Sequence, residues 1–140
     1  MSASDSLGTV EGLTSIQSSF GPKETMDRVE AEVRAKGLNV FARIDHAAGA
    51  AEVGLLLAPT DLIIFGNARG GTPLMQSVQT IGIDLPLKIL VWQDAASSTW
   101  ISYNEPRWIA RRHGVAGAES TTDKLSDVLN AIAKKAANSQ

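Results

Sequence analysis

The sequence predicts an α+β fold, a single mostly antiparallel sheet of about five strands with helices packed on it. Three observations carry this. Strand-like and helix-like periodicities alternate along the chain in the order β-α-β-(α)-β-α-β-β-α-α. The runs "PLKILVWQD" (86–94) and "STWISYN" (98–104) are separated only by Ala95-Ala96-Ser97, a link that suits an antiparallel hairpin. The length, 140 residues, allows one core and is short for two ordinary domains.

The elements follow in order. Residues 1–12 are rich in Ser, Gly and Asp and read as a flexible segment, leaving 13–140 as one domain. Residues 13–19 are strand-like, with Leu13 and Ile16 out of strict phase. Gly21-Pro22 then starts a helix over 22–36. Pro22 suits its first position, Glu24 and Asp27 lie near the positive end of the dipole, and Gly37 ends it. Met26, Val29 and Val33 form its apolar stripe. In the strand 38–45, Val40, Ala42 and Ile44 alternate with Asn39, Phe41, Arg43 and Asp45, which predicts one buried face. Residues 46–54, Ala-rich with glycines, fit either a short helix or an irregular link. "LLLAP" (55–59) is apolar but short. "DLIIFGN" (61–67) hardly alternates and predicts a central strand. Thr72 and Pro73 read as the cap and first position of a helix to about Thr80, followed by a connection, "IGIDLP". After the hairpin come a short helix in "EPRWIARRHG" (105–114) and a last helix over 120–136 with a Leu125, Val128, Leu129, Ile132 stripe.

Composition narrows the function. Charged residues make up 20% and the net charge is −2, so no basic footprint for nucleic acid is present. There is no basic amphipathic helix for a membrane surface and no apolar run long enough to span a bilayer. The absence of cysteine removes thiolate chemistry and fits a reducing compartment. "MSASDSLGTVEG" lacks the features of a signal peptide, so the expected location is cytoplasmic.

The stretch "FGNARGGTPLM" (65–75) suggests a phosphate loop, but the lysine is missing. Gly66 and Gly71 have the spacing, and Thr72 follows Gly71 directly. No dinucleotide motif occurs either, and no cofactor is expected. The glycines are read as serving the backbone, with Asn67, Arg69 and Thr72 as polar groups at a pocket rim.

"IDHAAGA", "FGNARGGTPLM", "GIDLPLKILVWQD" and "WISYNEPRWIARRHG" together resemble the bacterial and archaeal family known as domain of unknown function 302. The resemblance covers roughly residues 12–115 and leaves the last helix outside. It implies a small α+β domain and a tendency to dimerise, and it implies no activity.

Among the remaining candidates, His46 follows Asp45 at a strand end and sits in the family's "DH" segment. It is the one acid/base candidate. Tyr103 shares a strand face with Ile101, opposite Trp100 and Ser102, and carries a polar handle. His113 lies in a helix's last turn, where its charge would favour the dipole. Two histidines without metal-like spacing predict no metal site. Trp108 reads as packing, and Glu105 and Arg107 as a solvated helix face.

These residues lead to three readings. The first is a homodimeric small-molecule binding domain with His46, Asn67, Arg69, Thr72 and Tyr103 at the site, Arg69 favouring an anionic ligand. The second is an enzyme with His46 as acid/base. The third is a structural interaction domain without a ligand.

Overall fold

The structure, a computed structural model, describes residues 10–138. Residues 1–9 of the expected flexible segment therefore lie outside the described residues. The five strands are β1 (Leu13–Ser18), β2 (Asn39–Asp45), β3 (Thr60–Gly66), β4 (Leu87–Gln93) and β5 (Thr99–Asn104). They form one sheet in the order β1-β5-β4-β3-β2, and each neighbouring pair is antiparallel. The helices are α1 (Pro22–Ala35), α2 (His46–Glu52), α3 (Ala68–Ser77), α4 (Pro106–Arg112) and α5 (Glu119–Ala137), with a 3-10 helix at Gln79–Ile83. The α+β expectation holds.

Period-2 alternation assigns the sheet's two faces. Ile63 and Phe65, Ile89 and Val91, and Ile101 and Tyr103 point to one face. There they meet Met26, Val29 and Val33 of α1 and Leu129, Ile132, Ala133 and Ala136 of α5. The predicted α1 stripe is wholly buried. The last helix, which lay beyond the recognisable segments, packs on its own chain. Its C-terminal carbonyls, which lack partners within the helix, are gathered by Arg28: Nε donates to Ala136 O at 2.9 Å and Nη2 to Asn138 O at 2.6 Å. The Arg28 guanidinium also stacks over Phe20, 4.2 Å from the ring centre.

Three local expectations need correction. The alternation in β2 is broken by a bulge between Val40 and Ala42. Phe41 is the extra residue, so the two sides of the bulge are out of phase. Val40 pairs with Phe65 on the helix-covered side, whereas Ala42 and Ile44 pair with Ile64 and Leu62 on the opposite one. Arg43 is thereby turned towards α1 and meets Asp27 and Glu30 at 3.1 Å and Asp61 at 3.0 Å. Second, the glycine-rich stretch is not a loop before a helix capped by Thr72. Helix α3 starts at Ala68, with Asn67 as its cap, and Pro73 lies inside it. It also ends at Ser77, and the predicted connection begins with the 3-10 helix. Third, Glu105 and Arg107 are not merely solvated: Ser126 Oγ donates to Glu105 at 3.0 Å, and Arg107 pairs with Asp123 at 2.8 Å.

The segment just before β1 is tied down. Gly12 has φ +75°, and its carbonyl accepts from Glu105 N–H at 2.7 Å. The Trp108 ring lies against its α-carbon. Trp108 thus packs as expected, joining a second cluster built on Leu74, Ile81 and Ile109.

Candidate functional site

A pocket of about 420 Å³ opens where β3 runs into α3. Its size falls in the ordinary range for small-molecule sites, roughly 300–1,000 Å³. Gly66 ends β3 at φ +148°, a region that L side chains avoid, and lets the chain turn sharply. Asn67 Oδ1 then accepts from Gly70 N–H at 2.8 Å and starts the helix. Gly70 and Gly71, side-chain-free, form part of the wall. Facing them are Leu85, Pro86 and Leu87 from the entry to β4, and Leu125 and Val128 from α5. Leu38, just before β2, and Phe41 within it complete the wall. The bulge has a local use here, since it is the residue turned out of register, Phe41, that reaches the pocket.

The lining is mostly apolar. Its polar residues are Asn67, Thr72 and Lys124, and Lys124 is the sole charged one. Of the five residues expected at the site, the structure brings Asn67 and Thr72 together. Arg69 is exposed on α3 and does not line the pocket. Tyr103 is 4% exposed, in the main core beneath the helices. Burial, with the nearby Glu105 carboxylate, pushes its hydroxyl above the usual phenol range, and a hydrogen bond with Thr14 opposes this. His46 is exposed at the start of α2. Asn39, at the other end of β2, pairs with Gly66 beside the pocket, while Asp45 pairs with Asp61. At about 3.3 Å per residue, the five steps from Phe41 to His46 separate His46 from the pocket by roughly 16 Å.

The chain matches the family described as Domain of unknown function DUF302 over residues 14–132. It belongs to that family. The fold agrees with the crystal structure of an uncharacterised conserved DUF302 protein from Bacillus stearothermophilus. The TM-score is 0.81 at 19% identity, over 91% of this chain and 99% of that one. Among curated relatives, the chain is 49% identical over 104 residues to "Fluoride-specific ion channel FluC 1" of Brucella suis, covering 74% of this chain and 41% of that protein. The same identity and span relate it to "Fluoride-specific ion channel FluC 2" of Brucella melitensis, of which it covers 38%. The chain thus spans about two fifths of the length of these relatives. Among the described residues of the DUF302 domain, no helix is long and apolar enough to cross a membrane.

The sequence reading missed a polar cluster behind the pocket. His113 Nε2 lies 2.6 Å from Asp84 Oδ2, and His113 Nδ1 lies 3.0 Å from Thr80 Oγ1. Arg112 reaches the same Asp84 oxygen at 2.7 Å. The neutral tautomer with hydrogen on Nε2 satisfies both contacts, donating to Asp84 and accepting from Thr80. The order hydroxyl–imidazole–carboxylate is that of a proton relay, yet none of the three lines the pocket. What the cluster does is clasp the 3-10 helix to the end of α4, so His113 has a tertiary partner beyond the helix dipole.

Burial alone would raise the Asp84 pKa. The hydrogen bonds from His113 and Arg112 outweigh it and hold the carboxyl below its ordinary value near 3.8. A carboxyl whose pKa falls on folding stabilises the fold above its unfolded pKa, and this contribution is lost as pH drops through the folded value. Asp84→Asn is therefore expected to lower stability by a constant amount at neutral pH, and the gap to the parent should close below about pH 4. Urea unfolding at pH 7 and pH 3 measures this; an equal gap at both would remove the ionic role.

Proposed function

We propose that this chain is a small-molecule-binding domain that works as a homodimer, and that its ligand sits in the pocket between β3, α3 and α5. The observation that carries this reading is the lining: a preformed apolar cavity with a few polar groups at its rim. An apolar body would fill the space between Leu85, Leu87, Leu125 and Val128. A polar or anionic end would lie near Lys124, which takes over the part first given to Arg69. The acid/base reading of His46 has less support, because the side chain stands at the far end of β2. A role in pairing with a membrane transport protein follows only from the names of the Brucella relatives, and nothing in the pocket favours it.

The test uses anilinonaphthalene sulfonate, an apolar body with one anionic group, as a fluorescent probe. Saturable binding is expected. Gly71→Leu should abolish it: Gly71 is helical, and a β-carbon there would meet Leu85 at 3.6 Å and Met75 at 3.7 Å, both in the pocket wall. Lys124→Glu should weaken binding several-fold by setting like charges together. Saturable binding that survives Gly71→Leu in a protein with the parent's circular dichroism would place the probe elsewhere and end the assignment.

A further inference from the structure

Among the described residues, six of the eight large apolar residues that stand exposed lie between positions 41 and 57: Phe41, Ile44, Val53, Leu55, Leu56 and Leu57. Phe41 belongs to the pocket. The others have no such account. Leu56 is 102% exposed, as open as in an extended chain, and Leu55 and Leu57 flank it at 63% and 49%. A run of three leucines open to water is outside the usual scatter of single apolar surface residues.

The link that carries them leaves β2 at Asp45 and enters β3 at Thr60, at the same end of the sheet. There Thr60 pairs with Trp92, and Trp92 with Trp100. The two indoles stack with centres 6.3 Å apart. They lie on the sheet face opposite α1 and α5. Along that face, paired neighbours Ile44, Leu62 and Leu90 form an apolar row, with Ile64 beside it. None of these residues belongs to the two buried clusters. Leu62, Ile64, Leu90 and Trp92 remain partly exposed. The strands thus have one face under helices and a second that is apolar over β2, β3 and β4, with Lys88 at its margin, Trp100 buried beside Trp92, and Ser102, Ser15 and Gln17 making it polar towards β1.

We propose that this open sheet face, with the apolar link 53–57, is the surface through which two copies of the chain pair. The proposal rests on the homodimer reading and says where the dimer forms. Area supports a second copy as the occupant. The apolar part of the face, three strands of about six residues, presents roughly 290 Å² in flat projection. Side-chain relief and the leucine link carry this towards the roughly 800 Å² per partner of a standard stable interface. A patch that is apolar on both sides suits a two-fold dimer, where the same surface serves both copies. Pairing edge to edge through β2 suits the chain less well, because the bulge at Phe41 interrupts the ladder that an added strand would need.

Sedimentation equilibrium of the full chain at micromolar concentration tests this. The parent is expected at twice the chain mass of 14.8 kDa. Leu56→Asp and Ile44→Lys, both at exposed positions, are expected to sediment at the single-chain mass while keeping the parent's far-UV circular dichroism. A dimeric parent whose two variants also stay dimeric overturns the surface and leaves the homodimer standing. A monomeric parent overturns both. If that monomer also floats with phosphatidylcholine vesicles, the leucine link is a membrane contact instead.

Discussion

Val33→Asp is expected to unfold the domain or to bring it to the edge of unfolding. Val33 is 0% exposed and lies on the α1 stripe after Met26 and Val29, in the same core cluster as the sheet's Ile63, Phe65, Ile89 and Val91. A carboxylate there has no cation to meet, since Arg43 is already shared among Asp27, Glu30 and Asp61. Burial without a partner costs several kcal/mol even when the group escapes by taking up a proton. The lost valine packing adds to this. The sum, more than about 4 kcal/mol, is comparable with the whole stability of an ordinary domain, about 5–15 kcal/mol. Thermal unfolding followed by circular dichroism reads it directly. A variant that melts within a degree or two of the parent would mean that α1 does not lie on this sheet.

Gly12→Ala is expected to cost about 3 kcal/mol, a large effect for one methyl group. Two causes combine. The residue holds φ +75°, which costs an L side chain roughly 1–2 kcal/mol. The new β-carbon would also fall 2.3 Å from the Trp108 ring. That ring cannot swing away freely, because it packs against the Leu74, Ile81 and Ile109 cluster. Gly37 provides the control. It has the same φ, +75°, with nothing within 4 Å of a β-carbon. Gly37→Ala should therefore lose the conformational part alone. The difference between the two variants, from urea unfolding, isolates the contact with Trp108. Equal losses would show that the ring yields without cost.

Much of this fold was legible from local signals that agree with one another. Helix α1 is bracketed by Pro22 and Gly37 and carries a clean stripe, so termini and buried face could be read together. The hairpin β4–β5 was legible from its short link, which in the structure spans the five residues 94–98 rather than the three expected, and the face shared by Ile101 and Tyr103 from simple alternation. The misreadings have a common physical origin. Asn67 and Thr72 are both good helix caps, and Pro73 suits a first helical position as a matter of propensity. Only the packing of Leu74 and the pocket wall decides that the helix begins at Ala68, four residues before Thr72. A bulge leaves no mark in a period-2 pattern, so Arg43 and Ile44 were assigned to the wrong faces. The pocket was half legible. The end of β3 could be recognised as a rim, but Leu38, Leu85, Lys124, Leu125 and Val128 reach it from distant parts of the chain. His113 and Asp84 are 29 residues apart, and no spacing rule joins them.

Helix α3 has a consequence for how a ligand gets in. Its ten residues include two glycines and an interior proline. Each glycine gives up roughly 1 kcal/mol of helix propensity against alanine, and proline removes a backbone donor. A helix of this composition holds together by what it leans on more than by its own hydrogen bonds. The pocket wall is therefore the part of the domain that opens at least cost, through local fluctuations that leave the sheet, α1 and α5 intact. Entry needs no hinge between rigid halves, and an occupant that fills the cavity would slow amide exchange along this one helix first.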